Sequence, residues 1–540
     1  MEAENRITSF EKTVQYDDGD ASGNDTGTAK HPDHPPRLWR GVLLTAVCTL
    51  SIVLVSATMS SSLISLPVIG NDLGIREDQL QWITSAYALS STYMGDEKSS
   101  SLAVSFKEHS PWDADLITLA VLRGFQGLGA AATIPASLGI LAYAFPPGNA
   151  RSLAFATFSA GQPLGGGLGS AVGGLLTQFA APSWRTMFYV IAGLSVICII
   201  GAFALIERDP LSTEKDKRVD WIGVALITSG LILIVFVLSD GEVAPKQWKT
   251  PYIIALLVVG VILSAMFLVW QWYLERLYTL DEPPKWVTPP LMKLSLWRRG
   301  NGRFAAMQAI VFFLMCAFQS WQLWAVLYYQ NYKGYSPVLT MLRVLPTVPT
   351  GILCNVLIGL VIERIPGVVL IAIGCLCTAV SGLLFAVINP NATYWAFGFP
   401  SAVITVFGAD FVFAAGSLFI AKLALPHEQS LAGGLFQTMA QLGTSFGLAT
   451  TTIVFDRVRA QQGKRLGIDV DPQGLNAPPE AQLRAYRAAE WTIFAFGAFA
   501  CLLAVLFLRG VGVVGGPHKP PTSGDFKSDS EHTVAIDSAP

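Results

Sequence analysis

Residues 152–173 decide the fold: Ser152-Leu-Ala-Phe-Ala-Thr-Phe-Ser-Ala-Gly161-Gln-Pro163-Leu-Gly165-Gly166-Gly167-Leu-Gly169-Ser-Ala-Val-Gly173. No charged side chain interrupts residues 153–179, and about 20 apolar residues suffice to cross the hydrocarbon core of a bilayer. Gly161, Gly165, Gly169 and Gly173 recur every fourth residue, with Gly166, Gly167 and Gly174 beside them. Residues four apart share a helix face, so this stripe lets a second helix approach to backbone contact. One reading is static packing of small residues. Pro163 adds another, because it removes a backbone hydrogen bond and lets the helix bend as a bundle rocks.

The same pattern occurs twice. Ser152-Leu153-Ala154, Phe158, Leu164-Gly165 and Gly169 reappear as Ser430-Leu431-Ala432, Phe436, Leu442-Gly443 and Gly447. Two halves that share one helix pattern are a common transporter design, with the substrate site between them near the bilayer midplane.

Working outward, the 540 residues are 52% hydrophobic and 14% charged, against about 25% charged in soluble domains. Eleven further apolar runs are long enough to span: 41–66, 116–144, 187–206, 221–238, 252–272, 304–329, 339–362, 368–388, 395–423, 431–455 and 491–508. A thirteenth stretch, Leu80–Met94, is shorter and runs into the polar segment Gly95–Asp115. Loops on one side of the twelve spans collect Arg151, Arg208, Lys215, Lys217, Arg218, Arg276, Lys285, Lys293, Arg298, Arg299, Arg303 and Arg364. The other side holds Arg185, Lys246, Lys249 and Lys333 before a late loop, Asp456–Glu490, of mixed sign. Positive loops face the cytosol, so both termini are expected there. Asn391-Ala-Thr393 then lies outside as a glycosylation acceptor.

Neither the cysteines nor the histidines suggest chemistry. All seven cysteines fall within apolar runs and lack metal-ligand or disulfide spacing, as expected of packing residues. The six histidines are scattered through polar segments, which argues against a membrane metalloenzyme. No metal, cofactor or nucleic-acid partner is expected, and no clustered catalytic set suggests an enzyme.

The candidate functional residues are polar groups inside spans. Arg123 stands in an apolar run with Gln126 on the same face; a cation in hydrocarbon is costly unless paired or facing a wet cavity, so a polar relay is expected, with snorkelling as the alternative. Asp410 lies near the middle of its span, where a carboxyl serves either to carry a proton or as a structural hydrogen-bonding group. Arg343, near the outer end of its span, is expected to snorkel. Gln319, Gln322, Gln437 and Gln441 supply neutral polar groups, and Trp321, Trp324 and Tyr328 form an aromatic stripe. That stripe reads as packing or an interfacial belt, or as a wall for an organic substrate.

Arg123-Gly-Phe-Gln126-Gly-Leu-Gly129 and Gly161-Gln-Pro163-Leu-Gly-Gly166-Gly167 resemble the major facilitator superfamily, the first its fourth-helix motif and the second its fifth-helix antiporter motif, with Gln162 in place of a glycine. Trp82, Ala86-Tyr87 and the extra spans 221–238 and 252–272 are similar to its 14-spanning drug:proton antiporter branch, in fungal form. The resemblance implies an all-α polytopic membrane protein with two pseudo-symmetric halves, 41–206 and 304–512, two linker helices within 207–303, and disordered tails 1–40 and 513–540. Twelve to thirteen spans stand where the family has fourteen. It further implies proton-driven efflux of a drug, toxin or secondary metabolite by a monomer in the cell membrane, the vacuolar membrane being the alternative. Ammonium, borate or basic amino acids are the alternative cargo. Two departures bear on this: Thr58 stands where bacterial members carry a first-helix acid, and Gly95–Asp115 replaces the basic loop and third helix, as retained intron sequence would. A transport-inactive product or a sensor is therefore a further alternative.

Overall fold

Twelve long apolar segments can satisfy their backbone polar groups in lipid only by becoming helices, and then bury their small and polar faces against one another. The computed structural model describes residues 38–509 except 76–79, 81–82, 85, 88–115, 146–148, 182, 207–217, 241–248, 279–283, 285–286, 362–363, 425–427, 469 and 471–475. The predicted tails and Gly95–Asp115, and much of Leu80–Met94, lie outside the described residues.

The helices are α1 (Leu38–Leu73), α2 (Leu116–Ala144), α3 (Asn149–Phe179), α4 (Arg185–Leu205), α5 (Trp221–Asp240), α6 (Pro251–Tyr278), the short α7 (Leu294–Arg298), α8 (Arg303–Leu327), α9 (Pro337–Val344), α10 (Thr347–Val361), α11 (Gly367–Ala386), α12 (Tyr394–Leu423), α13 (Gln429–Arg465) and α14 (Pro479–Phe507). Each of the twelve predicted spans falls on one of them, or on the α9–α10 pair. By length and composition, ten helices among the described residues are apolar enough to cross a membrane. The two long helices left out are α3 and α13, whose Gly161, Gly165, Gly169, Gly443 and Gly447 are buried inside the bundle. The exterior is apolar instead: Phe203 is 82% exposed on α4, and Ile254, Val258 and Val261 are exposed on α6.

Two boundaries differ from expectation. The run 339–362 is broken at Leu345-Pro346 between α9 and α10, where Pro346 cannot continue the hydrogen-bond ladder. The late loop is much shorter than Asp456–Glu490, because α13 continues to Arg465 and α14 begins at Pro479. Charge made these helical ends look like loop.

At one end of the bundle a single apolar core joins both halves: Leu66, Ile69, Leu80, Leu119 and Trp184 pack in one cluster with Trp321, Trp324, Phe385 and Phe455. Gln330 there donates to the Ile64 carbonyl at 2.7 Å, and the Val338 amide to Gln178 at 3.2 Å. At the opposite end the cores stay separate, one around Cys48, Leu141 and Phe158 and the other around Phe304, Phe419 and Leu508. Among the described residues the halves thus share a core at the first, sealed end and not at the second, parted end, where α1 begins and α14 finishes. Arg40 ties α1 to the Leu205 carbonyl there, and Arg303 ties α8 to that of Arg509.

Buried acids fasten the linker between the halves. Asp220 caps α5 by accepting from the Gly223 amide at 2.9 Å, and also accepts from Trp270 and Gln271 of α6, an N-cap of the favoured type. Glu428 accepts from Lys293 at 2.8 Å and Arg299 at 2.6 Å, clamping α7 to the α12–α13 turn. Burial alone would raise the Glu428 pKa, but the hydrogen bonds and charges of Lys293 and Arg299 outweigh it and hold the carboxyl down to about 2, from an ordinary 4.5. Its contribution is complete above about pH 4.5 and is lost as pH falls toward 2. Glu428→Gln should therefore cost about 2 kcal/mol at neutral pH. The gap in thermal midpoint from the parent, measured in detergent, should narrow below pH 4.5; a gap independent of pH would contradict the assignment.

Candidate functional site

Arg123 is 1% exposed on α2, so it does not reach for the interface. Its Nε donates to the Ile83 carbonyl at 3.1 Å, its Nη1 to Gln126 Oε1 at 2.8 Å, and its Nη2 approaches the Met59 sulfur at 3.9 Å. The guanidinium lies 4.8 Å from the centre of the Tyr87 ring, a cation–π distance. The arginine thus binds α1, α2 and the 83–87 segment together at the sealed end, and no carboxylate among the described residues forms an ion pair with it.

The glycine helix has two working faces. A Cβ added at Gly161 would lie 2.6 Å from Ile52, at Gly165 2.4 Å from the Val53 carbonyl oxygen, at Gly169 2.3 Å from that of Ala57, and at Gly173 2.7 Å from the Ser61 backbone. This face is locked onto α1 within one half. Gly166 faces the Ser56 and Ser60 hydroxyls. The repeat places the same device in the other half, where a Cβ added at Gly443 would lie 2.2 Å from the Phe312 carbonyl oxygen and one at Gly447 2.4 Å from the Cys316 Cα. The second face crosses between halves: Gly167 abuts Val348, Gly174 abuts Met341, and Pro163 lies against Gly351 of α10.

That crossing leads to Asp410. A Cβ on Gly351 would stand 3.0 Å from Pro163 and 3.7 Å from Asp410 Oδ2, so the carboxyl of α12 sits one glycine away from the proline of α3. Oδ2 is shielded from solvent and has no hydrogen-bond partner among the described residues.

Sequence reasoning missed a second acid. Glu490 is 2% exposed in the fourth turn of α14, and neither of its oxygens has a hydrogen-bond partner among the described residues. The signal was present only as a lone acid abutting an apolar run, in a stretch read as loop because Glu480, Arg484 and Arg487 precede it.

The expected substrate wall is not assembled as a unit. Trp321 and Trp324 are 1% and 2% exposed inside the shared core. Trp321 donates to Ser401 Oγ at 2.8 Å and Trp324 packs on Phe455 with centroids 4.5 Å apart. Both rings are enclosed in that core. Gln319, Gln322, Gln437 and Gln441 are half-buried, and Asn391 is exposed on the α11–α12 turn.

Two halves of helices, glycine-locked in the same way, joined by a helical linker and sharing a core at one end, define a polytopic transporter fold. The profile of the Major Facilitator Superfamily matches residues 100–448, and the chain belongs to that family, whose members are transporters and not enzymes. It is 27% identical to "MFS-type transporter 1" of Pyricularia oryzae, over 87% of this chain and 84% of that one. It is 27% identical to the "Low affinity ammonium transporter" of Saccharomyces cerevisiae, over 79% and 84%, and 24% identical to "Efflux pump terJ" of Aspergillus terreus, over 91% and 92%. In fold it is similar to a crystal structure of a bacterial homolog of the human lysosomal transporter Spinster, with a TM-score of 0.54 at 15% identity over 88% of this chain and 98% of that one.

Proposed function

We propose that the chain exports a small organic molecule in exchange for protons by alternating access. The observation that carries this reading is Asp410, a shielded carboxyl whose Oδ2 has no hydrogen-bond partner among the described residues, set one glycine from Pro163 where α3 crosses to the other half. Gain or loss of a proton there changes the charge beside the contact that must slide when the halves rock, which couples the two events. The parted end carries both ends of the described chain and the basic loops, so it faces the cytosol, and the cell membrane is the expected host. Thr58 supplies no carboxyl in α1, which leaves coupling to the second half. The similarity to an efflux pump supports the direction.

Export is tested with ethidium as probe. Cells making the chain should retain less ethidium than cells without it while a proton gradient stands, and Asp410→Asn should abolish the difference at equal protein level. Export that persists undiminished in the variant removes the proton assignment. Equal retention by cells with and without the chain, combined with uptake of methylammonium, would favour ammonium transport, the reading supported by the yeast relative.

A further inference from the structure

The sealed end of the second half contains a recess of about 320 Å³ between α8, α9 and the α11–α12 turn. Its walls are aromatic and its charge is of one sign. Tyr328, Tyr329, Tyr335 and Tyr394 line it together with Lys333 and Arg343, and no acid is among the lining residues. Two consecutive tyrosines reach it because α8 ends in a π-helical turn, Tyr328–Tyr332, a register change that often marks a functional site.

Arg343, expected from sequence to snorkel, is instead boxed by three rings, with its guanidinium 5.6, 4.5 and 5.0 Å from the centres of Tyr329, Tyr335 and Tyr394. Tyr394 is held in place by donating to the Arg343 carbonyl at 2.6 Å. Among the described residues the Arg343 Nε, shut off from solvent, has no hydrogen-bond partner, and neither has the Tyr328 hydroxyl. Nearby, Arg487 donates to the Ile388 carbonyl at 2.6 Å and Lys333 to that of Pro390. These contacts place both cations at the C-terminus of α11, a position that favours positive charge. Arg343 has no such explanation. None of the three cations forms an ion pair among the described residues.

We propose that this recess binds a small organic anion, specifically an aromatic carboxylate. A guanidinium presents its planar fork to a carboxylate, and the tyrosine rings offer flat apolar faces to an aromatic body. The volume sits at the lower end for small-molecule sites, about 300–1,000 Å³, and suits one or two fused rings. The site is distinct from the Asp410 crossing and does not depend on which molecule is exported.

The test uses 2-naphthoate titrated against the purified full-length chain in detergent micelles, read by calorimetry. Saturable binding is expected, weakened about tenfold or more by Arg343→Gln, the loss of one charge-assisted hydrogen bond. Lys333→Gln should weaken it less. Arg343→Lys, which keeps the charge but not the fork, should fall between, with an unchanged thermal midpoint showing that the chain still folds. Neutral 2-naphthamide should not bind, and Asp410→Asn should bind 2-naphthoate normally, which separates this site from the export reading. Absence of saturable binding, equal affinity for the amide, or binding indifferent to both Arg343 variants would overturn the proposal.

Discussion

Replacing Gly169 with leucine should abolish recovery of folded protein. The first added atom already falls 2.4 Å from the Ala57 Cα and 2.3 Å from its carbonyl oxygen, and both are backbone atoms that cannot rotate away. Overpacking of a tight core costs about 1–3 kcal/mol even where side chains can yield, and here α1 itself would have to shift along its whole contact with α3. The measurement is the amount of monodisperse protein on size exclusion and its thermal midpoint. Gly193→Leu on α4, where nothing stands within 4 Å, serves as the control and should behave as the parent. A monodisperse Gly169→Leu protein with the parental midpoint would show that the α1–α3 contact is looser than described.

Gly167→Val probes the other face of the same helix and should have a different signature. Its Cβ would press on Val348 at 2.6–3.2 Å, but the neighbour is a side chain in the opposite half. The two halves can part slightly without unravelling either one, so the protein should fold with nearly the parental midpoint while transport falls about tenfold or more. Double-mutant logic supplies the check: adding Val348→Ala removes the opposing methyl groups and should restore most of the rate. Failure of rescue, or parental transport by the single variant, would mean that this crossing is not part of the moving interface.

These two outcomes separate what the glycine stripe suggested into two roles. Spacing alone placed Gly161, Gly165, Gly169 and Gly173 on one face, and the repeat at Gly443 and Gly447 showed that the device occurs twice. Neither told which helix lay opposite. The answer, α1 within the half for one face and α9–α10 across the halves for the other, depends on how twelve helices pack, which helical periodicity does not encode.

The rest divides in the same way. Composition and run length alone determined the polytopic helical class and the twelve segments, because a bilayer demands long apolar helices with their backbone groups satisfied internally; the family resemblance rested on the motifs at Arg123–Gly129 and Gly161–Gly167. The break at Pro346 went unread, because the run 339–362 is apolar on both sides of it. Tertiary structure decided which polar groups are enclosed and by what. It turned Trp321 and Trp324 into core, brought Asp410 next to Pro163, buried Glu490 in a helix whose charged first turns read as loop, and enclosed Arg343 in tyrosines from three separate segments. The physical reason is that hydrophobicity is a property of single residues summed along the chain, whereas partnership between polar groups depends on atoms brought close by packing, and those atoms come from distant parts of the sequence.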